Sequence, residues 1–530
     1  MTPDATKPSE RRALPDGPIE LALLLALVAL AIAYFGDFGL TWDETVDHYR
    51  RKAGEKTWNF WFGGFRPDDA LWSNGHNTST SFAYYAIWRG LSALGFDIAL
   101  VDLWHLLTSF VGIGGVALVY RLGDRLGGRQ AALLAAATLA VWPIWVGQSF
   151  GNFKDVPFAA AWLLCLNTAL SLAEAPTPRA VIRHALAVTL LLIVRIGGLL
   201  VVPVSVATLV VGLTRVDWPA RRRLLGATGV MAIVAVVLHA VSYPYVLLHP
   251  WDGLFDLVAA NRNFVWIGET LTLGVLHTST ETPWWYVPVW FMATLPELAL
   301  VGVVAYGWPR RGRNSDAPPN ELDSSQRFRR RFTLAATAWP VLYVSLSGAP
   351  IYDGIRHVLF VVPPLIAVTS AALIGTASSV PRALAAAVIA LGLVSHCVDV
   401  VRFHPMQAAW FNRLVGGIEG AKDGFTVDYW ASTAKLSSEW ISSQTEPTHV
   451  CVLAEIEESW QHYLRPPWRV TGAQRLQDCP PDARFVYAFA RNRLIPESRA
   501  AAAASHRYAE VGRIDVAGAT LGVWFQRQTR

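Results

Sequence analysis

The sequence predicts an α-helical polytopic membrane protein of about eleven transmembrane helices, followed by a small extracytoplasmic α/β domain. Three observations predict it. Only 16% of the 530 residues are charged, against about 25% in soluble chains, a deficit that lipid-facing surface explains. Apolar runs of membrane-crossing length recur from residue 18 to residue 398 and then stop. The 23 tryptophans suit a chain with two membrane–water interfaces, where indole rests with one edge wet. The formal charge of +5 sits in short basic clusters between apolar runs. Topology accounts for those clusters, which argues against a nucleic-acid partner.

The expected spans are 18–36, 102–120, 131–148, 156–172, 181–195, 196–213, 225–247, 284–306, 332–348, 356–374 and 383–398. The run 181–213 carries Arg195-Ile196-Gly197-Gly198 at its middle. A single helix there would bury an arginine in lipid, so two short helices turning at the glycines are expected, with Arg195 at a surface. Residues 1–17 form a cytoplasmic segment. Arg11 and Arg12 precede the first span, but no small-residue cleavage site follows it. With that start inside, Arg121, Arg125, Arg129, Arg179, Arg183, Arg215, Arg221 to Arg223 and the arginines of 307–331 all fall inside as well. This positive-inside pattern places loops 37–101, 149–155, 248–283 and 349–355 outside, together with a C-terminal domain at 399–530. The tail turns polar and alternates in Arg484-Phe485-Val486-Tyr487-Ala488-Phe489 and again in Gly518–Phe525, as strands do. Of four cysteines, Cys165 and Cys397 lie in apolar runs and read as small hydrophobes; Cys451 and Cys479 can pair if their domain is outside the cytoplasm.

The outer loops carry the chemistry. Thr41-Trp42-Asp43-Glu44-Thr45 places two carboxylates at a helix mouth, where they need water, cations or a reaction. Asp43 either caps a helix or does chemistry, and Glu44 is open both ways; Asp47 and His48 read as solvated. Lys154 and Asp155 open the next apolar helix, where capping and phosphate attraction are compatible. The third loop holds Arg262 and ends in Pro283-Trp284-Trp285-Tyr286-Val287-Pro288, whose rings either anchor the helix or stack on sugar. The fourth holds Arg356 and His357, a cationic pair placed to hold a phosphate or to snorkel. Carboxylates, cations and aromatic surfaces beside lipid suit a reaction between a lipid phosphate and a polar acceptor. A carboxylate takes the proton of an attacking hydroxyl, and cations steady the departing phosphate.

Thr41-Trp42-Asp43-Glu44, Lys154-Asp155-Val156-Pro157-Phe158, Pro283–Pro288 and Arg356 together resemble integral-membrane glycosyltransferases of the C-type (GT-C) fold. The nearer likeness is to bacterial relatives of protein O-mannosyltransferases and of the lipid A aminoarabinose transferase, over roughly residues 18–400. The tail resembles a C-terminal extension of some bacterial members through His404-Pro405-Met406-Gln407, Phe411–Gly417 and Asp428-Tyr429-Trp430. The resemblance implies an inverting transferase of the bacterial inner membrane, with its active site on the outer face. It would take a polyprenyl-phosphate-linked sugar as donor and a glycan, lipid or protein hydroxyl as acceptor. Asp43 would be the base, Glu44 its neighbour and Asp155 the second acidic residue, with Lys154 and Arg356 on the donor phosphate. Gly75-His76-Asn77-Thr78 departs from the family pattern, which leaves acceptor type open and His76 as a candidate lining residue. Some members use a divalent metal; no dense ligand cluster demands one here. The competing readings are a polytopic transporter or lipid flippase, and a non-catalytic membrane assembly factor.

Overall fold

The computed structural model describes residues 17–45, 51–64, 78–262, 268–307, 324–377, 380–454 and 456–528. Every expected span falls on helix, but the helices are cut differently. Six are long and apolar enough to cross a membrane: Leu100–Val141, Asp155–Glu174, Ile196–Thr214, Trp218–Ser242, Arg356–Ala377 and Arg382–Arg402. A bent pair raises the number to seven among the described residues. The chain is a multi-pass membrane protein.

Leu100–Val141 is two arms, in agreement with the expected spans 102–120 and 131–148: the chain reverses at Gly128, inside the expected connection, where a φ of 77° lies in the left-handed region, and the second expected span runs on into Pro143–Gly151. Across that reversal a Cβ on Gly123 would come within 2.9 Å of Ala132 Cα, so only glycine lets the two arms touch. Other helices depart from expectation for physical reasons. The expected span 284–306 is Tyr286–Thr294 and Glu297–Gly307, bent by 114°. Pro296 supplies no N–H and holds Leu295 extended, which ends the first helix. Pro18–Tyr34 is apolar but only 17 residues long, and Ser324–Leu346 opens with too many arginines to pass as an apolar span.

The expected break at Arg195 is present: Pro178–Val194 ends there, Arg195 is extended, and a 3-10 turn, Ile196–Val201, leads into Val202–Thr214. Arg195 does not point to a bare surface, however. It turns onto Asp155. Asp155–Glu174 is the central helix, buried along nearly its whole length, whereas Trp218–Ser242 and Arg382–Arg402 expose Ile233, Val230, Leu391 and Val401 along their outer faces. Apolar side chains on an outward face are what lipid contact requires.

A hairpin not anticipated from the sequence, β1 (Glu269–Thr272) with β2 (Val275–Thr278), lies in the loop expected at 248–283. The tail folds as the alternation predicts, into a five-stranded mixed sheet. Its strands are β3 (His449–Leu453), β4 (Arg469–Ala473), β5 (Phe485–Phe489), β6 (Tyr508–Val516) and β7 (Ala519–Arg527), in the order β4-β3-β5-β7-β6. β3 runs parallel to β4 and β5, and β7 antiparallel to β5 and β6. One face carries Trp460, Tyr487, Phe489 and Trp524; the other carries the Cys451–Cys479 disulfide.

Candidate active site

The site begins with a single helical turn, Trp42–Thr45. Thr41 precedes it, and Glu44 reaches back to accept from the Thr41 N–H at 2.9 Å and from the Thr41 hydroxyl at 3.0 Å. That is the Glu half of the Thr-x-x-Glu capping arrangement, which satisfies the Thr41 N–H, while the Glu44 N–H donates to the Thr41 carbonyl at 2.9 Å. Glu44 is buried, and His105 Nε2 stands 3.2 Å from its carboxylate. The turn therefore has a fixed orientation. Trp42 packs towards the core of the C-terminal domain, and its N–H donates to the Trp430 carbonyl at 2.8 Å. Asp43, next along, faces the membrane bundle.

There Asp43 Oδ2 meets Lys154 Nζ at 2.7 Å and Arg356 at 2.5 Å. Burial would raise the Asp43 pKa, but the charges of Arg356 and Lys154 outweigh it and hold the carboxyl well below the usual range. Lys154 stands just before helix Asp155–Glu174. The turn into that helix is made by Asn152, whose side-chain oxygen accepts from the Asp155 N–H at 2.9 Å. Asp155 pairs with Arg195 and accepts from the Asn152 amide at 3.1 Å.

Arg356 follows a tight turn. Asp353 and Gly354 have φ of 56° and 72°, and a Cβ on Gly354 would stand 3.2 Å from the Trp290 ring. The Gly354 N–H donates to the Tyr286 hydroxyl at 3.0 Å, so Tyr286 braces this turn from behind. The Arg356 guanidinium lies over the rings of Tyr352 and Trp430, at 4.9 Å and 5.7 Å from their centres. It also reaches Asp353 at 3.4 Å, which Arg491 approaches at 3.5 Å from the other side. Arg491 comes from the end of β5, donates to the Tyr429 carbonyl at 2.5 Å and covers the Trp42 ring.

Asp43, Lys154 and Arg356 thus meet directly, from three distant parts of the chain. Asp155 adjoins them through Asn152 and Arg195. Glu44 and Tyr286 stand behind the ion pairs as supports, and the His357 ring packs edge-on against Tyr352. His76, Asp47 and His48 lie outside the described residues, as does the side chain of Arg262. The sequence reading missed Asp353, Arg491 and the inward turn of Arg195. An arginine inside an apolar run is a signal that it has a partner; Arg491, in a polar tail, gives no such signal. With Lys154, Arg195, Arg356 and Arg491 set against Asp43, Asp155 and Asp353, the cluster has one positive charge to spare. No group of three or more metal-ligating side chains occurs among the described residues.

No protein-family model matches the chain, and no curated protein matches it. Among solved structures, it is similar to ArnT from Cupriavidus metallidurans in the apo state, at 14% identity and a TM-score of 0.47 over 95% of this chain and 98% of that one. The same protein bound to undecaprenyl phosphate gives 16% identity and a TM-score of 0.47, over 95% and 97%. The archaeal oligosaccharyltransferase AglB from Archaeoglobus fulgidus, in complex with an inhibitory peptide and a dolichol-phosphate, gives 12% identity and a TM-score of 0.42, over 95% and 74%.

Proposed function

We propose that the chain is a GT-C membrane glycosyltransferase that moves a sugar, with inversion, from a polyprenyl-phosphate donor to a hydroxyl acceptor on the outer face of the bacterial inner membrane. The observation that carries this reading is the sharing of Asp43 between Lys154 and Arg356 at the mouths of two membrane helices. A buried carboxylate beside two cations and a surplus positive charge suits an anionic headgroup whose tail stays in lipid. A transporter would place such groups near mid-membrane.

The chemistry follows from exchange of partners. At rest, Asp43 is a weak base because two cations hold its charge. A donor phosphate competes for Lys154 and Arg356, and each cation it takes returns basicity to Asp43. The acceptor oxygen then attacks the anomeric carbon as Asp43 takes its proton. The carbon–oxygen bond to phosphate breaks, and the phosphate leaves with its charge held by Lys154 and Arg356. Asp155 keeps Arg195 beside the same headgroup, Glu44 orients the Asp43 turn, and Tyr286 with His357 supports the Arg356 turn. The test is release of polyprenyl phosphate from a polyprenyl-phosphate sugar by the purified protein in the presence of envelope glycan or lipid acceptors. Lack of release with every donor sugar would sink the reading.

A further inference from the structure

Beside the ion-pair cluster, on the other side of the Trp42–Thr45 turn, lies a cavity of about 640 Å³. Its floor includes Glu44 and Thr45. One wall comes from the first outer loop, with Glu55, Trp88 and Arg89; the other comes from helix Glu458–Tyr463 of the C-terminal domain and the residues after it, with Glu458, Gln461 and Arg465. The far wall is fastened in place, because the Leu40 N–H donates to the Tyr463 hydroxyl at 2.8 Å.

We propose that this cleft binds the acceptor, and that the acceptor is a neutral, polyhydroxylated saccharide. The inference rests on the transferase reading above and adds the substrate class. The lining mixes both signs: carboxylates Glu44, Glu55 and Glu458 stand with the guanidinium groups Arg89 and Arg465 and with His462. A charged ligand would select walls of one sign, whereas vicinal hydroxyls both donate to carboxylates and accept from guanidinium groups. Gln461 offers an amide that does both. Trp88 gives a half-buried ring whose indole N–H is already committed to the Ile98 carbonyl at 3.1 Å. The Trp88 ring, tilted against Tyr85 with centres 5.5 Å apart, therefore contributes apolar surface and not a donor to the lining, and apolar ring surface suits the C–H face of a sugar. The cavity lies between two parts of the chain that also contribute to the catalytic cluster, and its floor carries Glu44 and Thr45, the two residues that follow Asp43.

The test uses the full-length protein in detergent, with two photoreactive probes: a diazirine-bearing neutral trisaccharide and a diazirine-bearing decapeptide. The trisaccharide should label peptides spanning residues 85–101 and 458–465. Glu458→Gln and Gln461→Ala, both at exposed positions, should each cut that labelling at least fivefold while polyprenyl-phosphate binding is unchanged; Trp88→Ala should do the same if it folds. Labelling elsewhere, labelling indifferent to the first two variants, or preferential labelling by the peptide would overturn the proposal. Turnover separates the two claims. If donor is consumed with an acceptor but the label misses the cleft, the acceptor assignment fails alone. If the cleft is labelled as expected but no donor is ever consumed, the transferase reading fails and saccharide binding stands.

Discussion

Asp43 is asked to be two things, an anchor for cations and a base, and its surroundings allow only one at a time. With Lys154 and Arg356 in contact its proton affinity is depressed. A carboxyl whose folded pKa is depressed contributes stability that is complete above the ordinary value of about 3.9 and is lost as pH falls through the lowered value. The stability gap between the wild type and Asp43→Asn should hence be constant from neutrality to about pH 5 and narrow only below about pH 4, as read by thermal unfolding. Turnover should behave differently. The acid limb of kcat/KM reports the free protein and should lie below pH 4, whereas the limb of kcat reports the donor complex, in which the phosphate has taken the cations, and should lie higher. Coincident limbs would show that donor and Asp43 do not share those cations. Asp43→Asn itself should cost roughly 10²–10⁴ in kcat with donor affinity retained or improved, measured by single-turnover transfer; full activity would remove Asp43 from the base role. The three central residues were legible because a charge at the end of an apolar run must have a reason to be there. Arg491 was not: in a polar tail a charge is unremarkable, and only the fold carries it to Asp353.

At the scale of elements, the Trp42–Thr45 turn sorts its side chains among three surroundings. Successive residues of a helix point about 100° apart. Trp42 therefore enters the C-terminal domain, Asp43 the ion-pair cluster and Glu44 the His105 side and the cavity floor. Thr41 and Glu44 fix the rotation of that turn. Thr41→Ala and Glu44→Gln should each cost about 1 kcal/mol locally. Each should lower kcat less than Asp43→Asn does and leave both acid limbs where they are. A kcat loss as large as that of Asp43→Asn, with a shifted limb, would make Glu44 a proton acceptor. The helices themselves were legible from apolar runs, and their breaks only in part. The glycines after Arg195 announce a turn, whereas the break at Pro296 was not anticipated, since the expected span 284–306 runs through it. The reversal at Gly128 falls in the connection expected between 120 and 131, whereas the close approach of Gly123 to Ala132 across it is displayed by no local pattern.

For the whole molecule, the C-terminal domain is part of the site. Trp430 lies under Arg356, Arg491 faces Asp353, and the Tyr429 hydroxyl accepts from Gln148 at 2.8 Å, which in turn accepts from Asn152 beside Asp155. The domain must then share the compartment of the loops that build the site, which the proposed topology, drawn from the arginine distribution, places outside. The Cys451–Cys479 disulfide agrees in chemistry, since such bonds persist in oxidising compartments. Single cysteines test the arrangement in intact cells. Ser443 lies in the domain and Ser325 at the start of the arginine-rich helix Ser324–Leu346, both exposed. Ser443→Cys should react with a membrane-impermeant maleimide before permeabilisation, and Ser325→Cys only after it. Of the native thiols, Cys165 is buried and Cys397 lies within an apolar helix, so a variant with Cys397→Ser gives the background. The reverse labelling order would turn the protein over in the membrane, and with it the side on which donor and acceptor must meet.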